Sequence, residues 1–370
     1  MVYRAGFENQ SLVRDREFES HPLRQNNMEK QKQSQENNQN VNHIESREMF
    51  TMERRRLGKT KLLVTPLCWG CGPLGNLPDA FGYEVSPDQA VRTLLAAFKG
   101  PVNFFDTANN YGQSESRIGE GIKINGGLPK DCIIETKADR DPITNEFSAL
   151  RMRQSVEESL RRLGMAQLPL VYLHDPEYHP KYSSNRPLAI QEILAEGGAV
   201  AELEKLKNEG IIQHLGISGG PIDLLVDFVE TGKFDVVITH NRWNLIYQTA
   251  EPLFVAAQKR EVGIVNAAPF ASGILSGGAQ QQRFVYKVPS EEILKRVQKI
   301  KEACQQYGVP VAAAALQFSL REPRISSTVV GVSDPKQIEE NLSLLKIPIP
   351  DELWVDLKTL AITEGDPEGH

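Results

Sequence analysis

The sequence predicts an α/β fold in which eight strands alternate with helices and close into a (β/α)8 TIM barrel, with an N-terminal β-hairpin before it and an extra C-terminal helix after it. Three observations predict this. Short runs of β-compatible residues alternate with helix-like runs from residue 67 to residue 344, as expected for a parallel sheet wrapped by its crossover helices. The longest irregular stretches, 175–187, the region around 271–289 and the end after 345, are placed like the loops that build active sites on the C-terminal face of a barrel. A doubly wound open sheet is the alternative, and no Gly-x-Gly-x-x-Gly leads from the first strand into a helix to support it.

The elements follow in order. Residues 1–52 stand apart: 11 of the 18 residues from Gln25 to Asn42 are Gln or Asn. Apolar residues there are too sparse for a core, so the segment is expected to be a disordered polar tail. The alternative is a true start at Met49 or Met52. Residues 53–370 are read as the barrel domain. Leu57-Gly58-Lys59-Thr60 is a turn between two short strand-like pieces in 55–66, a hairpin suited to plugging the barrel floor. Strand-like runs lie near 67–70, 102–106, 132–137, 169–174, 211–217, 235–239, 262–267 and 326–331. Helix-like runs occupy 87–99, 114–123, 147–163, 189–208, 221–231, 250–260 and 334–344. Two more, 290–306 and 310–321, crowd the seventh crossover, and a last helix, 351–361, follows Ile347-Pro348-Ile349-Pro350.

Composition narrows the function classes. The 370 residues carry 42 Lys and Arg against 48 Asp and Glu, a net charge of −6. That balance argues against nucleic acid as a partner. No run of 18 or more apolar residues is present, so no membrane span is expected. The first 52 residues show no apolar signal core, and Glu8, Asp15, Glu17, Glu19, Glu29 and Glu36 do not suit a mitochondrial transit peptide. A cytoplasmic location is the reading. Cys68 and Cys71 have the spacing of a metal knuckle, but no second pair follows. No metal site is expected, and the four cysteines read as reduced thiols.

The most informative stretch is Phe104-Phe105-Asp106-Thr107-Ala108-Asn109-Asn110-Tyr111-Gly112-Gln113-Ser114-Glu115. An apolar strand ends in an acid, and an acid buried there is costly unless paired. Tyr111 sits five residues later, before a helix start. A tyrosine exchanges protons near neutral pH only if something lowers its pKa, most simply a cation. Lys137 closes the strand Cys132-Ile133-Ile134-Glu135-Thr136-Lys137, and His174 closes Leu170-Val171-Tyr172-Leu173-His174. Taken singly, each of the four has an ordinary structural role. Together, at three successive strand ends, they read as an acid–base site.

Asp106 to Glu115 matches Asp-Thr-Ala-x-x-Tyr-Gly-x-Ser-Glu at each fixed position, and this resembles the signature of the aldo-keto reductases, nicotinamide-dependent (β/α)8 barrels. The similarity runs from about Arg55 to about Leu360. Gly70-Cys71-Gly72-Pro73-Leu74-Gly75-Asn76-Leu77, Leu173-His174-Asp175-Pro176 and Ala268-Pro269-Phe270-Ala271-Ser272-Gly273-Ile274-Leu275 look like the branch that oxidises D-threo-aldoses, L-fucose or L-galactose to lactones. The resemblance implies Asp106, Tyr111, Lys137 and His174 as catalytic residues. It implies a sugar or aldehyde as the small-molecule partner, and leaves the oligomeric state open. An aldehyde or ketone reductase, a pyridoxal dehydrogenase, and a non-catalytic cofactor-binding regulatory subunit remain the alternatives.

The implied cofactor is NAD or NADP. Ser218 and His240 match nicotinamide carboxamide contacts, although Gly219 replaces the usual asparagine and His240 a glutamine. Phe270 and Ser272 match positions near the pyrophosphate. Gly331, Gln337, Glu340 and Asn341 match the adenosine-binding segment, with Asp334 as a helix cap. The two positions that are basic in NADP users are Gly331 and Gln337 here, so NAD is slightly favoured, with Lys336 as the nearby cation. Asn109, Asn110, Asp139, Arg140, Asp175, Glu177, His179 and Arg242 are read as polar groups near the mouth, with Trp69 and Trp243 as walls.

Overall fold

A computed structural model describes residues 51–276, 283–285 and 287–369. The polar tail expected over 1–52 lies outside the described residues except for its last two, as does part of the loop expected around 271–289.

The described chain opens with a hairpin, β1 (Arg55–Arg56) and β2 (Leu63–Val64), paired antiparallel with Arg55 opposite Val64. Eight parallel strands then form a closed barrel: β3 (Leu67–Gly70), β4 (Phe104–Asp106), β5 (Ile133–Ala138), β6 (Leu168–His174), β7 (Ile212–Gly219), β8 (Val236–His240), β9 (Gly263–Ala267) and β10 (Ile325–Gly331). Each strand pairs with its neighbours in chain order, and β10 closes the ring against β3 from Thr328–Leu67 to Gly331–Gly70. The barrel, the hairpin before it and the extra helix after it agree with the sequence reading.

Side chains alternate along every strand, so the residues divide into two sets. Cys68, Phe104, Leu170, Tyr172, Val236, Ile238, Val265 and Val329 fill the barrel, joined from below by Leu57 and Val64 of the hairpin segment. Leu67, Trp69, Phe105, Ile134, Val171, Leu173, Leu215 and Ile217 face outward into the layer under the helices. The hairpin seats on the strand starts. The Arg55 guanidinium donates to the Ile325 carbonyl at 2.8 Å, and the Lys59 N–H to the Glu261 carbonyl at 2.8 Å. The turn needs glycine at 58: its φ is +54°, and a Cβ would lie 2.1 Å from the Gly263 nitrogen.

The helices among the described residues are α1 (Pro78–Phe81), α2 (Pro87–Phe98), α3 (Ser114–Ile124), α4 (Ala149–Leu163), α5 (Arg186–Leu194), α6 (Ala199–Asn208), α7 (Ile222–Glu230), α8 (Glu251–Lys259), α9 (Glu291–Gln306), α10 (Val311–Leu320), α11 (Pro335–Leu344) and α12 (Asp351–Thr359). Several begin on the side-chain caps that orphan N–H groups call for. Ser86 caps α2, Ser148 caps α4 and Ser290 caps α9. One expected element is corrected. The single helix read over 189–208 is two, α5 and α6, because Ala195-Glu196-Gly197-Gly198 breaks it; Gly197 sits at φ +75°. The short α1 had no counterpart in the sequence reading. Among the described residues no helix is long and apolar enough to cross a membrane.

Candidate active site

The C-terminal ends of β4, β5 and β6 bring four of the predicted residues together. Asp106 ends β4 and His174 ends β6, while Lys137 is the second-last residue of β5. All three are buried, with at most 5% of their surface exposed. The Lys137 ammonium donates to Asp106 Oδ1 and, at 2.7 Å, to the Thr107 carbonyl. Its Nζ lies 4.6 Å from the centre of the Tyr111 ring. Tyr111 in turn meets His174 edge to face, with ring centres 5.6 Å apart.

Electrostatics keeps this cluster charged. Burial works to lower the Lys137 pKa, but the Asp106 carboxylate and then Tyr111 outweigh it and hold the ammonium charged. For His174 burial again pulls downward. The Asp139 and Asp175 carboxylates win and raise its pKa. His174 Nδ1 lies 2.6 Å from Asp139 Oδ1, and Nε2 is 3.5 Å from Asp175 Oδ2. Asp139 is itself fixed: its Oδ2 accepts from the Asn110 N–H at 2.9 Å, and its own N–H donates to Ser155 Oγ at 2.9 Å. A positioned phenol, a buried ammonium and an oriented imidazole suit proton exchange with a substrate oxygen.

The profile of the aldo/keto reductase family matches residues 66–362. The chain belongs to the aldo/keto reductase family. It is 33% identical to the L-galactose dehydrogenase of Arabidopsis thaliana over 86% of its own length and 95% of that protein. It is 31% identical to the pyridoxal 4-dehydrogenase of Microbacterium luteolum, over 83% of this chain and 97% of that one. It is also 31% identical to a D-threo-aldose 1-dehydrogenase of a Pseudomonas species, over 80% and 94%. Among solved structures, an aldo-keto reductase of Bacillus halodurans in its holo form shares the fold, with a TM-score of 0.65, 22% identity and coverage of 85% of this chain and 97% of that one.

In this aldo/keto reductase the residues expected at the cofactor lie on the other arc of the rim. Ser218 near the end of β7 stands in register beside His174 of β6. His240 ends β8, where burial and then the Arg242 charge lower its pKa and leave the ring neutral. Phe270 and Ser272 follow β9. Ser272 has φ +59°, and its hydroxyl accepts from the Val285 N–H at 3.0 Å. Gly331 ends β10 and is exposed, as is Glu340, while Asn341 is buried. Ser218, His240, the turn at 270–273 and the start of α11 thus follow one another around β7 to β10, a fit for an extended dinucleotide beginning beside the acid–base cluster.

Gln337 has a local task. Its Oε1 accepts from the Ser333 N–H at 2.7 Å and the Asp334 N–H at 3.3 Å, while Asp334 accepts from the Lys336 N–H at 2.9 Å. The pair forms a capping box on α11.

Several groups read as lining the mouth are placed elsewhere. Arg242 is fully buried, paired with Asp366 at 2.7 Å and Glu368 at 2.7 Å. Asn109 Nδ2 turns outward to the Ser155 carbonyl at 3.1 Å. Trp69 packs in the outer layer, and Trp243 lies against Phe254 and Phe318. The alternation that puts Trp69 outside is the same one that puts Cys68 and Gly70 inside.

Two residues escaped the sequence reading of the cluster. Asp139 was placed at the mouth without its partner, His174. Glu135 is entirely buried inside the barrel, where its Oε2 accepts from the Tyr172 hydroxyl at 2.5 Å. The signal was available: Glu135, Lys137 and Asp139 follow a strand's two-residue period.

Proposed function

We propose that this enzyme oxidises the C1 hydroxyl of an aldose to a lactone, passing hydride to NAD or NADP. The observation that carries it is the linked Asp106–Lys137–Tyr111–His174 cluster, in a chain whose relatives include an L-galactose dehydrogenase and a D-threo-aldose 1-dehydrogenase. The nicotinamide, when bound, takes the hydride; proton handling falls to the protein. Tyr111 as tyrosinate takes the hydroxyl proton. Lys137 favours that anion by its charge, and Asp106 offsets the cost of burying Lys137. His174, oriented by Asp139, hydrogen-bonds the substrate oxygen. In reduction the proton runs back from Tyr111.

Ser218 and His240 would hold the carboxamide, Phe270 and Ser272 the pyrophosphate, and Gly331, Gln337, Glu340 and Asn341 the adenosine. With no cation at 331 or 337 but Lys336 nearby, NAD is slightly favoured over NADP. The barrel domain, residues 53–370, acts in the cytoplasm. A pyridoxal or other aldehyde substrate is the second reading, favoured by the 31% identity to a pyridoxal 4-dehydrogenase. Nicotinamide-coupled absorbance with a panel of aldoses, aldehydes and pyridoxal tests both. Turnover of free aldoses with lactone release is the expected result. Turnover of pyridoxal alone would replace the first reading with the second, and tight cofactor binding without any turnover would replace both with a regulatory role.

A further inference from the structure

Beneath the acid–base cluster the barrel holds an acid that the proposed chemistry does not use. Glu135 shares the inward face of β5 with Lys137, and it stands in register beside Asp106 of β4. It has no exposed surface. One oxygen, Oε2, accepts from the Tyr172 hydroxyl of β6 at 2.5 Å. The other, Oε1, is a buried acceptor without a donor among the described residues. The titratable groups around it are Cys68 on β3, Asp106 on β4, Lys137 on β5 and Tyr172 on β6. Only one of these, Lys137, is a cation, and Asp106 already pairs with it.

Charge counting decides the state of this acid. With Asp106 and Glu135 both ionised, the barrel interior would carry two carboxylates against one ammonium. The one unpaired charge that this leaves there costs several kcal/mol. Two facing carboxyls, both acceptors, are reconciled by a proton on one of them. Burial and then the charge of Asp106 hold the Glu135 carboxyl well above the usual carboxylate range.

We propose that Glu135 is a positioning residue, a neutral carboxylic acid that donates to Asp106 from below while accepting from Tyr172, and so sets how much of the Lys137 charge reaches Tyr111. A satisfied Asp106 leaves the ammonium free to act on the phenol 4.6 Å away. A bare Asp106 draws the ammonium toward itself, and Tyr111 then ionises at higher pH. The inference rests on the acid–base reading of Tyr111, Lys137 and Asp106, yet its test needs no substrate.

The experiment is an ultraviolet difference titration of tyrosinate, with each variant measured against its own Tyr111→Phe partner so that only Tyr111 is read. Glu135→Gln keeps both hydrogen bonds and neutrality, so Tyr111 should titrate where it does in the parent. Glu135→Leu removes the donor and should move the titration up by about one pH unit. An equal shift in both variants would show that Glu135 acts as a charge and would overturn the proposal. No shift in Glu135→Leu would leave it only a packing role, with the same effect. Infrared difference spectra of parent and Glu135→Gln test the protonation state even if the leucine variant does not fold. The parent-minus-variant spectrum should show a protonated-carboxyl band at neutral pH, since the Glu177 carboxyl contributes equally to both and cancels; no such difference band would refute the neutral acid. If these hold and no sugar or aldehyde turns over, the substrate assignment fails while the role of Glu135 stands.

Discussion

The two arcs of the barrel rim handle polar residues in opposite ways. On β4 to β6, Asp106, Lys137 and His174 are buried at strand ends, and their partners come from other strands: Asp106 pairs with Lys137 and His174 with Asp139, 31 and 35 residues apart in sequence. On the arc that ends at α11, Gln337, Asp334 and Ser333 answer one another within four residues. A buried charge without a long-range partner would be prohibitive, so the first arc declares that its partners exist. A capping box needs nothing beyond its own turn. The same residues serve a helix start with or without a nucleotide, so the second arc says less about ligand chemistry.

The sharpest way to break this contrast is Tyr111→Phe. Loss of the proton carrier should lower turnover by about 10²- to 10⁴-fold while leaving cofactor binding, read by fluorescence quenching, nearly intact. Activity within a few-fold of the parent would take the phenol out of the chemistry.

Lys137→Met comes next. With the ammonium gone, Tyr111 should ionise near the unperturbed value of about 10, so turnover falls and the rate profile for oxidation moves to higher pH. An unchanged profile for the residual activity would show that the lysine only fills space.

Glu177 lies where the two arcs meet and tests whether burial there has a thermodynamic cost. Its Oε1 accepts from the Gly220 N–H at 2.7 Å, and burial, then the Asp175 charge, push its carboxyl up to about 8. The folded protein therefore binds this proton more tightly than the unfolded chain. Its stabilising contribution is full below the unfolded value, falls as pH rises toward 8, and is lost beyond it. Glu177→Gln should abolish that fall, making the variant more stable than the parent near pH 9 by on the order of 2–4 kcal/mol. The advantage should shrink steadily toward about pH 4.5. Parallel stability curves for the two proteins would refute it.

On the second arc, Gln337→Arg should shift the ratio of kcat/KM for NADP over NAD toward NADP by roughly tenfold or more, the yield of one charge-assisted hydrogen bond. Losing the capping glutamine should cost about 1 kcal/mol of stability. A parent that already prefers NADP strongly would show that Lys336 or another cation reads the phosphate. An unchanged ratio in the variant would place the adenosine elsewhere. The smallest effect is expected from deleting residues 1–51, which should leave melting temperature and activity almost unchanged. A melting temperature lower by many degrees would instead show that the tail docks.

What the sequence could convey follows the range of each interaction. Strand ends and the polar groups that gather at them were legible because alternation is local and such groups have few stable uses there without partners. Asp139 and Glu135 lay on the same alternation, two residues either side of Lys137, and needed only its extension. Arg242 was not legible, since its carboxylates come 124 and 126 residues later and no local pattern ties them together. The break between α5 and α6 was written in Gly197-Gly198 and was overridden by the helical pattern on either side.

The junction of β10 with β3 carries a kinetic consequence. Thr328 and Leu67 are 261 residues apart, whereas Glu135 and Leu170 on β5 and β6 are 35 apart. Closing the longer loop costs about 5 kcal/mol in chain entropy against about 3 for the shorter. Contacts this distant in sequence slow folding. The ring should therefore zip from within and seal at β10–β3 last, and amide exchange should find that seam opening before the β5–β6 ladder. Arg55 and Arg56, bonded to Ile325 and Ser326 at 2.8 and 3.2 Å, lie across the start of the same strand. The hairpin that plugs the floor is thus also a clasp, tying the last strand of the ring to its beginning.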